Sequence, residues 1–417
     1  MNRRDWLRLS TLAGVSWLTP LAGRLAIAAE KDPRGERAQS VIFLWLSGGP
    51  SQLETFDPHP GTKIAGGTKA TNTAVAGVKL VAGLEQVAEQ MPYISLIRSL
   101  VSKEGDHQRG AQLAKTGYRP TPTAVFPTIG AICCHELPLG KTEIPRHISI
   151  LPDARPGWGG YLGAEYDAFK TGDPASQVPD LSARVSEDRF AQRLRDLEFV
   201  DRAFVRSRAR QADAAVDRKT LAAARAMMTS EQLSAFDVKE EPAELLARYG
   251  DTPFGRGCLA ARRLVEKGVR CVEVTLRGWD SHFDNHATHK QLVKILDPAL
   301  ATLIQDLRER GMLERTVVMC GGEFGRTPKI NPLAGRDHWT TGFSMAVAGG
   351  GLAAGRVIGE TDPEGGGQPT DPHSFADVHA TVLTALGIDI KTEYISKIGR
   401  PLKLSDGTPI KQLLAEA

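Results

Sequence analysis

At 417 residues, 41% hydrophobic and 24% charged, the chain is long enough for one large domain or two ordinary ones. That balance excludes a disordered or fibrous chain. A net charge of only +3 gives no strong field to hold nucleic acid or an acidic membrane surface.

The first segment reads as an export leader. Asn2-Arg3-Arg4-Asp5-Trp6-Leu7 carries a twin arginine, and a mostly apolar stretch over 9–25 follows, broken by Gly14, Pro20, Gly23 and Arg24. Ala26-Ile27-Ala28 then offers small residues at a cleavage site. A basic head, a short apolar middle and A-x-A make a secretory leader rather than a stable membrane span. The arginine pair points to the Tat route, so residues 1–28 predict the Tat machinery as a partner and a periplasmic or extracellular destination. The five cysteines, with Cys133 and Cys134 adjacent and no repeated spacing, predict buried thiols rather than a disulfide framework.

Beyond the leader, residues 29–417 show short β-branched apolar runs that each end in a polar or glycine-rich turn. Residues 40–46 run into Ser47-Gly48-Gly49-Pro50, and 94–101 lead toward Asp106-His107-Gln108-Arg109-Gly110. Residues 147–151 run into Pro152-Asp153, and 269–276 into Arg277-Gly278-Trp279-Asp280. Residues 316–320 run into Gly321-Gly322-Glu323, and 343–348 into three glycines. Helical patterns occupy 255–267 and 290–310 between these runs. Strands continuous in apolar residues and alternating with helices predict an α/β fold with a mostly parallel sheet. The charge-dense stretch 182–249 has no strand signal and predicts a helical insertion. Residues 61–80 and 360–373 read as loops.

In a parallel sheet, ligands bind beyond the carboxyl ends of the strands. The loops there hold three polar clusters: Asp280-Ser281-His282-Phe283-Asp284-Asn285-His286, then Glu323 with Arg326, then Arg336-Asp337-His338-Trp339. Imidazoles and carboxylates at that density suit one divalent ion, zinc or manganese ahead of calcium or magnesium. A fourth cluster holds His107, a candidate nucleophile, acid/base or ligand, and Arg109, whose guanidinium could clamp an oxyanion. Ser51 or Thr55 could offer a hydroxyl from the first loop.

With these motifs in place, the chain resembles the alkaline phosphatase and sulfatase superfamily. Within it, the chain resembles an uncharacterised, sulfatase-like branch of Tat-exported proteins (domain of unknown function 1501). The resemblance rests on Gly48-Gly49-Pro50-Ser51, Phe56-Asp57-Pro58, Gly278-Trp279-Asp280-Ser281-His282, Gly322 to Pro328, and Gly335-Arg336-Asp337-His338-Trp339. It implies a three-layer α/β/α sandwich of the alkaline phosphatase type.

Superfamily ligands carry over only in part. Glu323 stands where an aspartate ligand is expected, Phe324 stands where a histidine is expected, and the first strand ends at Ser47 without its aspartate. Asp280, with His282 or His286, and His338 resemble one remaining metal site. His107 takes the place of the usual nucleophile, nine residues before Thr116-Gly117. Cys258-Leu259-Ala260-Ala261-Arg262 loosely matches the sulfatase modification motif, but it lies inside a helical pattern and is rejected.

The resemblance implies an exported metal-dependent hydrolase of a phosphate or sulfate ester, small or on a glycan, with Arg109 or Arg326 balancing charge. The alternative is a degenerate member that binds an anionic glycan or a partner without turnover.

Overall fold

The computed structural model describes residues 38–178, 226–396 and 399–415, with isolated positions between 185 and 196. Its strands are β1 (Ser40–Ser47), β2 (Ala70–Asn72), β3 (Lys79–Val81), β4 (Ile94–Val101), β5 (His147–Ile150), β6 (Phe169–Thr171) and β7 (Cys271–Arg277). They continue with β8 (Thr316–Gly321), β9 (Gly325–Arg326), β10 (His338–Trp339), β11 (Thr341–Gly349), β12 (Val357–Ile358), β13 (Glu393–Ile395) and β14 (Pro401–Lys403). Eight of them form one sheet in the order β12-β4-β11-β8-β1-β7-β5-β6.

Strand β1 lies at the centre because its side chains are apolar on both faces. Ile42, Leu44 and Leu46 pack with helices Pro253–Glu266 and Asn285–Glu309. Val41, Phe43 and Trp45 face the opposite way, toward helices His107–Thr116, Ile129–Glu136 and Phe375–Ala385. Each such side chain contributes about 1.5–3 kcal/mol on burial. Two cores on either side of one sheet make a three-layer sandwich.

Pairing is parallel from β8 through β1, β7 and β5 to β6. Strand β11 departs from the parallel pattern, running antiparallel to both β8 and β4. After β8 the chain passes through the β9–β10 hairpin and turns straight back, with no crossover helix to carry it to the other end of the sheet. The outcome concentrates loops at one end. Ser47 pairs with Arg277 and Trp45 with Gly321, so the turns after β1, β7 and β8 leave side by side. Thr341 pairs with Val101, which brings the end of β4 and the start of β11 to the same rim.

The long helix after β7 begins earlier than its sequence pattern predicts, at Asn285, with Asp284 at φ +45° ahead of it. The stretch 61–80, read as a loop, includes β2 and most of β3, which pair antiparallel. Of the predicted insertion at 182–249, residues 226–249 include the helical segments Glu231–Phe236, Val238–Glu240 and Ala243–Tyr249. Apart from the isolated positions, residues 182–225 lie outside the described residues, as does the leader 1–28. All five cysteines are free and buried. No helix among the described residues is long and apolar enough to cross a membrane.

Three histidines are sealed inside the sandwich. His147 pairs with the Tyr166 carbonyl at 2.8 Å, His379 with the Ala114 carbonyl at 2.8 Å, and His289 accepts from the Ser51 amide at 2.8 Å. Burial lowers each to about 4. The unfolded chain binds these protons near the ordinary value of about 6.5. Stability is therefore intact above that value and falls as pH drops toward 4. Urea titrations across this window should show His379→Gln taking up about one proton fewer on unfolding. An unchanged slope would mean that His379 is protonated in the folded protein.

Candidate metal centre

The site is built where the rim loops meet. Helix His107–Thr116 starts there because Asp106 caps it, its carboxylate accepting from the amides of Gln108 and Arg109 at 3.0 and 3.1 Å. After β7, the chain turns at Gly278 (φ +103°) and sinks Trp279 into the core, leaving Asp280 on the rim. Gly48 packs so close to this turn, at φ +119°, that a side chain there would strike the backbone of Trp279 and Asp280. Arg336, fully buried, ties the last loop down through Glu54 and the carbonyls of Ile64, Thr327 and Pro328. Asn331 joins two loops by donating to the His282 carbonyl at 2.9 Å and to Asp337 at 3.2 Å.

Three imidazoles result, each with Nδ1 occupied. His107 Nδ1 meets Glu323 Oε1 at 2.7 Å, His282 Nδ1 meets Asp337 Oδ1 at 2.9 Å, and His338 Nδ1 meets the Gly105 carbonyl at 2.6 Å. All three partners are acceptors, so each Nδ1 carries a proton, and in the neutral tautomer this leaves the lone pair on Nε2. Those Nε2 atoms gather around Asp280. His107 Nε2 lies 3.2 Å from Asp280 Oδ2, and His282 and His338 lie 3.2 and 3.6 Å from Oδ1. His282 and His338 bring Nε2 atoms within 3.0 Å of each other. Lone pairs and a carboxylate converging in this way repel unless a proton or a cation lies among them.

The spacing also fits a cation. Donor atoms about 2.0–2.1 Å from a tetrahedral zinc stand roughly 3.3 Å apart. His107, Asp280 and His338 each offer one ligand atom, all within 4.8 Å of one another. Glu323, Asp337 and the Gly105 carbonyl are the outer partners that metal-binding imidazoles require.

The electrostatics agree. Burial disfavours the ionised form of Asp280, but the Arg326 guanidinium at 2.6 Å outweighs it and holds the carboxyl below its usual range. The Glu323 hydrogen bond raises His107, whereas burial lowers His338 and favours the neutral ligand form.

The other sequence candidates lie outside the converging donor set or behind it. Glu323 lies behind His107 as an outer partner, its carboxylate also accepting from the Gly48 amide at 3.1 Å. His286 turns away to Glu54, 3.3 Å distant. Arg326 is fully buried and spent on Asp280 and the carbonyls of Gly48, Gly49 and Arg336, so it is a positioning residue rather than an anion clamp. Arg109 pairs with Glu104 at 2.7 Å and is no part of the imidazole cluster.

Ser51 is buried with its amide on His289, and Thr55 donates to the Ser51 carbonyl at 2.7 Å. Asp57 is buried among Arg98, His59 and Thr361. Asp284 hydrogen-bonds through its backbone to Leu333 and heads the long helix. Asp337 is an outer partner of His282. Phe324 packs under His107 and His338, with ring centroids 5.0 and 4.5 Å away. Sequence reasoning missed Gly105 and Asn331, because a carbonyl and a lone amide leave no motif.

The family model described as a protein of unknown function, DUF1501, matches residues 38–414, and the chain belongs to that family. No curated protein matches it. Among solved structures it is similar to an alkaline phosphatase superfamily protein from Vibrio parahaemolyticus (13% identity, 91% of this chain and 71% of that one, TM-score 0.39). It is also similar to the alkaline phosphatase of the Antarctic bacterium TAB5 (13% identity, 85% and 99% covered, TM-score 0.41). A third similar structure is a sulfatase from Pseudoalteromonas sp. (12% identity, 88% and 72% covered, TM-score 0.38).

Proposed function

We propose that the protein is an exported, metal-dependent hydrolase of a phosphate or sulfate ester. The observation that carries this reading is the convergence of three imidazole Nε2 atoms on one ionised aspartate. Asp280 and His338 would hold the ion, with His107 and His282 completing the set, and such nitrogen-rich donors suit zinc or manganese better than calcium or magnesium. When bound, the ion would polarise an ester oxygen and lower the pKa of a water. Glu323 and Asp337 keep protons on Nδ1 of their histidines, so that Nε2 stays a donor. Arg326 keeps Asp280 ionised.

The buried placement of Ser51 and Thr55 favours water as the attacking group. The same placement supports a second reading, a binder of an anionic glycan without turnover.

The test is elemental mass spectrometry of protein purified without chelator, beside an Asp280→Ala/His338→Ala double variant. Near-stoichiometric zinc or manganese that vanishes in the variant, with ester turnover lost alongside, supports the hydrolase. Bound metal without turnover of any phosphate or sulfate ester favours the binder. No metal even after reconstitution sinks the hydrolase.

Export through the Tat route rests on Arg3-Arg4 and the apolar stretch after them. Arg3→Lys/Arg4→Lys should leave unprocessed protein in the cytoplasm on cell fractionation. Undiminished export of that variant would assign the leader to another route.

A further inference from the structure

A cavity of about 700 Å³ opens beside the metal centre, lined at one end by His107, Asp280 and Glu323 and elsewhere by Arg155, Lys170 and Arg277, with Asp153, engaged by Lys115, and Asp167, engaged by the Gly159 amide, in the same wall. Among the described residues these three cations have no carboxylate partner. Arg155 reaches the Gln108 amide oxygen at 3.2 Å and Arg277 reaches the Pro152 carbonyl. Other cations nearby are neutralised, Lys115 by Glu273, Arg326 by Asp280 and Arg109 by Glu104. Unneutralised cations around a concavity form a receptor for anions, and guanidinium groups match the oxygens of a sulfate or phosphate in pairs.

A second cavity of about 520 Å³ shares Arg155 and Trp158 with the first and continues past Gln112 to Val125, which is 58% exposed. The Trp158 indole N–H donates to the Phe126 carbonyl at 2.8 Å, which fixes the half-buried ring at the boundary of the two cavities. One cavity of this size encloses a compact ligand of the usual volume. Two joined at an aromatic ring suit a chain. A tryptophan body presents apolar area to a sugar ring, and Gln108, Gln112 and Asp167 offer partners to hydroxyl groups.

We infer that this cleft is a second anion subsite opening into a groove for a linear oligosaccharide that carries two or more sulfate or phosphate esters. One ester would lie at the metal centre, and a second would lie on Arg155, Lys170 and Arg277. This rests on the hydrolase reading for the first ester only.

The test is calorimetric binding to the purified protein, using a sulfated disaccharide, a sulfated hexasaccharide, the phosphorylated hexasaccharide and the unesterified hexasaccharide. The esterified hexasaccharide should bind about tenfold or more tighter than the disaccharide, and its affinity should fall with salt. Arg155→Gln/Lys170→Gln/Arg277→Gln should cost about tenfold or more in that affinity with metal content unchanged. Trp158→Ala, checked for an unaltered melting curve, should remove the advantage of length.

The tighter of the two esterified chains names the ester. Equal binding of di- and hexasaccharide, or of the unesterified chain, overturns the groove, and so does a triple variant that binds as well as the parent. Persistent hexasaccharide binding in Asp280→Ala/His338→Ala, with no metal or turnover even in the parent, would sink the hydrolase reading and leave the groove standing.

Discussion

Asp280→Ala is expected to lose its metal and to reduce ester turnover by roughly a thousandfold, the several kcal/mol of charge stabilisation a bound divalent ion supplies. The carboxylate sits at the meeting point of the donor set, 3.2 to 3.6 Å from three Nε2 atoms. It is also the counter-charge of a fully buried guanidinium, Arg326. Removing it would leave that charge unpaired in the interior, so the alanine variant should also melt earlier.

Three further variants separate these effects. His338→Ala removes a ligand without stranding a charge and should lose metal with little change in melting. Glu323→Gln and Asp337→Asn leave Nε2 in place but weaken its orientation, and should cost about 10–100-fold in metal affinity. Elemental analysis with denaturant melts on the four proteins reads both quantities. Retention of full metal by His338→Ala would show that His338 is not a ligand.

The second large effect is expected away from the rim. Lys115→Met should destabilise the protein by about 3–5 kcal/mol, because it strands a buried carboxylate. Lys115 is 1% exposed, and its ammonium reaches Glu273 at 2.9 Å, the Arg155 carbonyl at 2.7 Å and the Trp45 ring at 4.7 Å. Burial raises the Glu273 carboxyl above its usual range, and Lys115 and the Ser149 hydroxyl work against that shift. Without the ammonium, Glu273 must take up a proton or stay charged in the core.

Adding Glu273→Gln should recover much of the loss, since the remaining carboxylate near the ammonium, Asp153 at 3.6 Å, keeps the Trp45 indole and the Arg155 amide as donors. Urea unfolding of the two variants measures this, and a double variant no more stable than the single would place the cost in lost packing. Because Lys115 ties the helix headed by His107 to β7, the single variant should also raise the metal dissociation constant. An unaltered constant would mean that the helix is held by its other contacts.

The fold was largely legible in the sequence, because burial on two faces leaves a mark in the chain. The runs at 40–46, 94–101, 147–151, 269–276, 316–320 and 343–348 all became strands of one sheet. The turn of β11 was not legible, since apolar strands look alike in either direction and only the missing crossover helix decides. The short pair β2 and β3 escaped for a related reason, as three-residue strands among Gly and Thr carry no period.

Of the site, the sequence by itself determined the chemical inventory: Asp280, His282 and His338 in loops beyond strand ends, with His107 at a helix start. It could do so because ligand chemistry depends on residue type and on which end of a strand a loop leaves. Only the tertiary structure decided which atoms converge. His286 and His282 are four residues apart, yet the turn into helix Asn285–Glu309 sends one to Glu54 and the other to Asp280. Arg326 read as a charge-balancing group and Glu323 as a ligand, but the close approach of Gly48 and Gly49 buries both and places them as supports. Direction and burial arise from contacts between segments hundreds of residues apart, and these are set by packing rather than by local pattern.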